Sequence, residues 1–142
     1  HACAISDSDA VVCWGMNTDG QSDAPMISAS QVSAGGLFTC ALDDSGEAVC
    51  WGNGAFEQTR APMGPFIKIS AGAEHACGVR ESGMVVCWGR DDRQQTNVPS
   101  FFLFDELGLG LDHTCGVTTD NQVVCWGQNN HGQSEPPEAL AP

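Results

Sequence analysis

A thirteen-residue segment that occurs four times constrains the fold of this chain more than any other feature. The second copy, CALDDSGEAVCWG, begins at Cys40, and the others begin at Cys3, Cys77 and Cys115. The copies recur every 37 or 38 residues and contain all eight cysteines and all four tryptophans. A period of this length is typical of proteins built from stacked supersecondary units.

Other residues recur in a fixed order around each copy. An aromatic residue precedes the first cysteine by two positions, and a glutamine and a proline follow the Trp-Gly pair. The aromatic residues are His1, Phe38, His75 and His113, and the glutamines are Gln21, Gln58, Gln95 and Gln133. One such unit cannot bury its apolar face alone, so we expect a single stacked array over residues 1–142. Its units are predicted at 1–37, 38–74, 75–112 and 113–142, the last without its closing strand.

The nine residues between paired cysteines predict one hairpin disulfide in each repeat. When Cys40 lies opposite Cys50 in an antiparallel hairpin, an odd-numbered loop remains around Ser45, which suits a turn followed by a left-handed residue. That position is taken by Asp9, Gly46, Gly83 and Asn121, which tolerate it better than most residues. Directly opposed cysteines of a non-hydrogen-bonded pair lie within disulfide reach. The predicted pairs are Cys3–Cys13, Cys40–Cys50, Cys77–Cys87 and Cys115–Cys125.

Four disulfides indicate an oxidising compartment, and therefore an extracellular or cell-surface location. The competing interpretation of the cysteines is zinc. Zinc sites favour two to four residues between paired ligands, so the spacing favours disulfides.

The apolar pattern predicts an all-β chain. In the segment VVCW at 123–126, both faces of a strand would be apolar, which suits a strand inside a stack of sheets. The segments 27–34, 66–71 and 101–109 supply a further strand in each period. We find no amphipathic helical pattern.

The order His-x-Cys, turn, Cys-Trp-Gly, Asn-x-x-Gly-Gln, proline, Ile-x-Ala-Gly resembles the repeat of the regulator of chromosome condensation family. It is similar in particular to the short, cysteine-bearing repeats of bacterial secreted members. The resemblance implies a β-propeller with one four-stranded blade per repeat, and such propellers usually close with about seven blades. Four repeats are therefore expected to form an incomplete propeller or part of a larger one. The exchange activity of the founding member on a small GTPase is not implied, because no matched residue supports it.

Charge excludes several partners. The chain has 18 acidic and five basic side chains and a net charge of −13, which argues against nucleic acid and anionic membrane surfaces. No apolar run is long enough to insert into a membrane. The first and fourth repeats have no Lys or Arg, so the two ends should repel each other unless salt or Ca²⁺ screens them.

The sequence offers few candidate catalytic or ligand-binding residues, and we expect no enzymatic activity, no cofactor and no metal site. The histidines before the first cysteines could be ligands or bases, but Phe38 stands in the same place, which favours packing between blades. Residues 17–23 faintly resemble a calcium-binding loop, but the equivalent segment of the second repeat, 53–59, lacks the carboxylates. The tryptophans are predicted to be core rather than a sugar platform, and the glutamines are predicted to bond loop backbone.

The repeats differ most in the loops after Trp-Gly, and function on a repeat scaffold is expected where repeats differ. Candidate binding residues in and beside these loops are Phe56, Arg60, Arg90, Arg93 and His131, since aromatics and arginine dominate interface energies. Solvated loops without a partner remain the alternative. In the third repeat, Phe101 and Phe102 open a run of four large apolar residues that cannot all point inward.

Together these features predict a non-enzymatic extracellular module that acts in protein–protein interaction or structural assembly. Its partners would include further copies or repeats of itself, stacked into a larger oligomer or filament. Both ends stop at about the same phase of the repeat, which is why a longer array is expected. The alternative is a soluble secreted inhibitor or ligand-binding propeller that recognises a protein through its variable loops.

Overall fold

The computed structural model describes residues 1–141, which form eleven β-strands and contain no helix, hence none able to cross a membrane. The strands are β1 (Ala2–Ile5), β2 (Val11–Trp14), β3 (Ala29–Ala34), β4 (Phe38–Asp43), β5 (Ala48–Gly52), β6 (Lys68–Ala71), β7 (His75–Val79), β8 (Val85–Gly89), β9 (Phe104–Leu109), β10 (His113–Thr118) and β11 (Val123–Gly127). They form four antiparallel sheets, β1-β2, β3-β4-β5, β6-β7-β8 and β9-β10-β11. The all-β class and one sheet per repeat are therefore confirmed.

Each repeat is stapled as the sequence predicts. In the second sheet Cys40 lies opposite Cys50, their Cα atoms are 4.1 Å apart, and their sulfurs are bonded. The other three repeats show the same pairing, Cys3–Cys13, Cys77–Cys87 and Cys115–Cys125. The left-handed turn residues are also those predicted, with positive φ at Asp9, Gly46, Gly83 and Asn121. No cysteine of the described residues is free.

The sheets are divided differently from the predicted units 1–37, 38–74, 75–112 and 113–142. Each short apolar strand pairs with the hairpin that follows it, because a tight connection such as 35–37 returns the chain directly onto the next strand. The two-stranded sheet is consequently the first, whereas the fourth, predicted to lack a strand, has three. Pro142 lies outside the described residues.

Three of the sheets have three strands and the first has two, instead of the four per blade that the resemblance implied. The segment between β5 and β6 stays irregular, and so does its counterpart in each other repeat. The apolar strands also begin two or three residues later than predicted, because the chain at or just before their first residues bonds to the preceding hairpin turn. Phe66 N–H donates to Gly46 O at 2.8 Å, and Phe104 N–H donates to Gly83 O at the same distance.

The core lies between successive sheets. From the second sheet onward, the tryptophan of a sheet packs against the disulfide of the sheet before it. Trp51 lies with Cys3 and Cys13, and Trp126 lies with Cys87. Trp88 is buried in the same way against the second sheet. The predicted core role of tryptophan therefore holds at three of four positions, and each interface stacks an indole on a disulfide.

The first strands of the three-stranded sheets converge. β3, β6 and β9 contact one another in sequence, and side chains link their edges. Gln31 Nε2 donates to Ile67 O at 2.6 Å, and Lys68 Nζ lies 2.7 Å from Glu106 Oε1 on the next strand. The blades are thus arranged radially, with these strands on the inner side.

Candidate protein-interaction surfaces

A glutamine fixes each of the four loops that follow Trp-Gly. Its side-chain oxygen accepts the backbone N–H two residues earlier, at 2.8 Å in every repeat. Gln21, Gln58 and Gln95 are buried, while Gln133 is half-buried. Their predicted role in bonding loop backbone is confirmed. Each loop is therefore a rigid platform whose remaining residues are free to vary.

These loops lie at the same end of each blade because each follows the last strand of its hairpin, and in the second, third and fourth blades the first loop residue extends the strand ladder. Asn53 N–H donates to Leu37 O at 2.9 Å, and Arg90 N–H donates to Glu74 O at 2.9 Å. Loops of neighbouring blades also touch: Asn53 Nδ2 donates to Asp19 Oδ1 at 2.7 Å, which lowers the pKa of Asp19. We call the end formed by loops 16–21, 53–58, 90–95 and 128–133 the loop face.

The structure brings two of the predicted binding residues together on the loop face. The Arg90 guanidinium lies 5.1 Å from the centre of the Phe56 ring. Asp92 and Glu74 accept hydrogen bonds from Arg90, which raises the pKa of Arg90 above its ordinary value and holds its side chain in place. Next to this pair lies a cavity of about 360 Å³ whose lining includes Leu37 and Glu74. An aromatic ring stacked against a guanidinium held in place is typical of protein–protein interfaces.

The other candidate residues are more dispersed. Arg60 pairs with Glu57 on the surface, and Arg93 and His131 are exposed on the loop face. Phe101 and Phe102 lie at the opposite end of the blades, beside the turn that contains Gly83. There Phe102 packs inward with the core while Phe101 is fully exposed. The aromatic run therefore alternates in and out and does not join the loop face.

The two ends of the array form a second kind of surface. Trp14 is 56% exposed, in contrast to the other tryptophans, because no sheet precedes the first one among the described residues. At the other end, the fourth sheet has an apolar cavity of about 310 Å³ lined in part by Leu107, Cys115, Val117 and Val123. We call this region the open disulfide face.

Sequence reasoning missed several residues of these surfaces. Leu37 and Leu111 are exposed on the loop face because they occupy the connection between the first and second strands of a sheet. An apolar residue directly after a Gly-Gly or Leu-Gly pair was the available signal.

Among residues 1–141 no group of three or more His, Cys, Asp or Glu side chains is placed to hold a metal ion.

Radially arranged, disulfide-stapled sheets with variable loops at one end define a propeller-type repeat protein. The family model for the regulator of chromosome condensation (RCC1) repeat matches residues 1–21, 29–58, 66–95 and 105–133. The chain therefore belongs to the RCC1 repeat family. Comparison with curated protein sequences gives no significant match.

Solved structures with the same arrangement include two receptor ectodomains. The chain is 30% identical to the CRINKLY WD40 ectodomain of the Arabidopsis thaliana receptor kinase ACR4, with a TM-score of 0.74 over 88% of this chain and 45% of that one. It is 33% identical to the ectodomain of the Physcomitrella patens receptor kinase CR4, with a TM-score of 0.73 over 87% of this chain and 35% of that one. The chain thus spans less than half the length of either ectodomain.

A third structure shares the fold at lower identity. Prp20p from Saccharomyces cerevisiae, described together with its binding to Gsp1p and histones, is 15% identical with a TM-score of 0.65. The match covers 78% of this chain and 34% of that one. At this identity the likeness concerns the propeller fold alone.

Proposed function

We propose that the chain is an extracellular, non-catalytic module that binds other proteins. Its four disulfides are suited to an oxidising compartment, and two structures that resemble it are receptor ectodomains. The described residues offer paired cysteines, buried glutamines and packed tryptophans at the repeated positions. These groups hold the scaffold and leave recognition to the loops.

The observation that carries the proposal is the composition of the loop face. Phe56, 42% exposed, lies under Arg90 at the meeting point of two blades. Leu37 and Leu111 add exposed apolar groups at the same end. Rigid backbone, large aromatic and apolar groups and an oriented guanidinium are the elements of a protein-binding hot spot.

The test is affinity capture from the extracellular fraction of the source, with the intact protein immobilised. A partner that binds through the loop face should be retained by the wild type and lost with Phe56→Ser. Met26→Ser is the matched control, since Met26 is fully exposed and lies outside the loop face. Equal retention by Phe56→Ser and wild type, or no partner at all, would contradict the proposal.

Assembly is a second candidate function, favoured by the ends of the array. The open disulfide face of the fourth sheet and the opposite end of the array, where Trp14 of the first sheet is exposed, are the two halves of an interface that the chain makes three times internally. Uncovered apolar blade faces promote association. A neighbouring repeat, in the same polypeptide or in another molecule, would cover them and build a larger oligomer or filament.

A further inference from the structure

Two positions that face each other across every internal blade interface change together. One is the aromatic residue two before the first cysteine of a blade. The other is the residue one before the first cysteine of the next blade. The observed pairs are His1 with Thr39, Phe38 with Ala76, and His75 with Thr114. Histidine thus meets threonine, and phenylalanine meets alanine.

The hydrogen bonds explain the His–Thr pairs. Thr114 Oγ1 donates to the carbonyl of Gln95 at 3.0 Å, so this hydroxyl is left to accept from His75 Nε2, 2.9 Å away. Thr39 is placed in the same way, 2.9 Å from Gln21 O and 2.8 Å from the ring of His1. Since the threonine proton is already used, the histidine is the donor in both interfaces.

The Phe–Ala pair lacks both partners of that bond. Phe38 has no ring donor, and Ala76, in the place of the threonine, has no hydroxyl. The carbonyl of Gln58 still accepts from the indole of Trp88 at 2.9 Å. A histidine opposite alanine would instead bury an N–H without an acceptor, which is the costly combination.

The open disulfide face presents one unmatched half of this interface. His113 is the aromatic residue of the fourth blade, and within residues 1–141 nothing hydrogen-bonds to its ring. The carbonyl of Gln133, equivalent to those that accept from indoles in the other interfaces, is likewise without an indole there. The apolar cavity beside Cys115 and Val117 lies where a preceding blade receives tryptophan.

We propose that the open disulfide face is a docking site for a hairpin of the same repeat type that has threonine directly before its first half-cystine and tryptophan directly after its second. The proposal rests on the assembly candidate above and names its partner. The first sheet of this chain is a poor occupant, because it offers Trp14 but has Ala2 in the threonine position. His113 would meet no acceptor in a head-to-tail contact between two copies.

The test uses synthetic, oxidised hairpin peptides and the full 142-residue protein. One peptide has the sequence of residues 38–52, with Thr39 and Trp51, and its matched control has Thr39→Ala. Each peptide is titrated into the protein, and binding is followed by the NMR chemical shifts of the Val117 and Val123 amides. We expect the threonine peptide to bind at least about five- to tenfold more tightly, since one buried hydrogen bond already corresponds to that ratio.

The reciprocal change provides the decisive control. In the His113→Phe protein the preference should reverse toward the alanine peptide, as in the Phe38–Ala76 interface. Val117→Asp on the same face should weaken both peptides, and its spectrum away from the face reports whether the variant is folded. Equal affinities in the wild type, no reversal in His113→Phe, shifts confined to other surfaces, or no binding at millimolar peptide would each overturn the proposal.

The outcome is separable from that of the proposed function. Phe56→Ser alters the loop face and leaves the open disulfide face intact. If this variant loses its captured partner while neither peptide binds, the chain is an interaction module and the docking proposal is wrong. If the peptides discriminate as expected but no partner depends on Phe56, the docking proposal stands and the loop face is not the binding surface.

Discussion

The His75–Thr114 pair gives the sharpest test of how the blades recognise one another. Thr114→Ala leaves the His75 N–H in the core without an acceptor, since His75 is fully buried. His75→Phe removes the donor instead. The double substitution converts the third interface into the Phe–Ala arrangement that the second already uses. We therefore expect the double variant to be more stable than the sum of the single effects allows.

The magnitudes follow from the bonds lost. Thr114→Ala should cost about 3 kcal/mol of unfolding free energy, from an unsatisfied buried donor and a small cavity. His75→Phe should cost about 1 kcal/mol, because Thr114 keeps its bond to the Gln95 carbonyl. The double variant should lose about 2 kcal/mol instead of the summed 4, a coupling of about 2 kcal/mol.

The assay is urea unfolding followed by tryptophan fluorescence near neutral pH, with the disulfides intact. A matched control combines His75→Phe with Thr118→Ala. Thr118 is a buried threonine on the same strand that bonds locally to Gln122 N–H, so these two changes should be additive. Additivity of His75→Phe and Thr114→Ala within about 0.5 kcal/mol would refute the reasoning.

Three further predictions concern stability. Lowering the pH from 6.5 to 4 should reduce the unfolding free energy by up to about 3 kcal/mol, because burial lowers the pKa of His75 to about 4 while the unfolded chain takes up the proton near 6.5. In His75→Phe the unfolding free energy should depend less steeply on pH across this range. Gln58→Ala should cost about 2 kcal/mol of unfolding free energy and Gln133→Ala under about 1 kcal/mol, because Gln58 is fully buried and Gln133 is only half-buried; urea unfolding measures both. Trp88→Ala should lower the unfolding free energy by about 3–5 kcal/mol and Trp14→Ala by under about 1, and comparable losses in calorimetry would contradict the exposed position of Trp14.

The features that the sequence predicts well are local. The disulfide of Cys40 and Cys50 and the left-handed Gly46 depend on the register of one hairpin, which the spacing of two cysteines determines. The role of Gln58 depends on a bond to a residue two positions away. Such interactions are encoded within a single repeat, and four copies make the pattern visible.

The features that the sequence left open involve distant residues. Whether an apolar strand joins the hairpin before or after it depends on competition between a short connection and a long one, and both orders fit the same repeat. The meeting of Phe56 and Arg90 depends on the angle between blades, which no local pattern encodes. The different environments of Trp14 and Trp88 could not be predicted either, because the two share the same motif and differ only in their neighbours.

The natural His–Thr and Phe–Ala pairs also affect which blades can stack on each other. Indole, disulfide and glutamine carbonyl are common to all three interfaces, so these groups alone would let any blade stack on any other. The residues one and two positions before the first cysteine of each blade distinguish the possible neighbours. An interface in which histidine meets alanine instead of threonine is less stable by about 1–3 kcal/mol. His75 against Thr114 and Phe38 against Ala76 are each matched, whereas exchanging the partners would leave His75 without an acceptor. A single buried hydrogen bond can therefore favour one neighbour over another without any change to the shared core of the repeat.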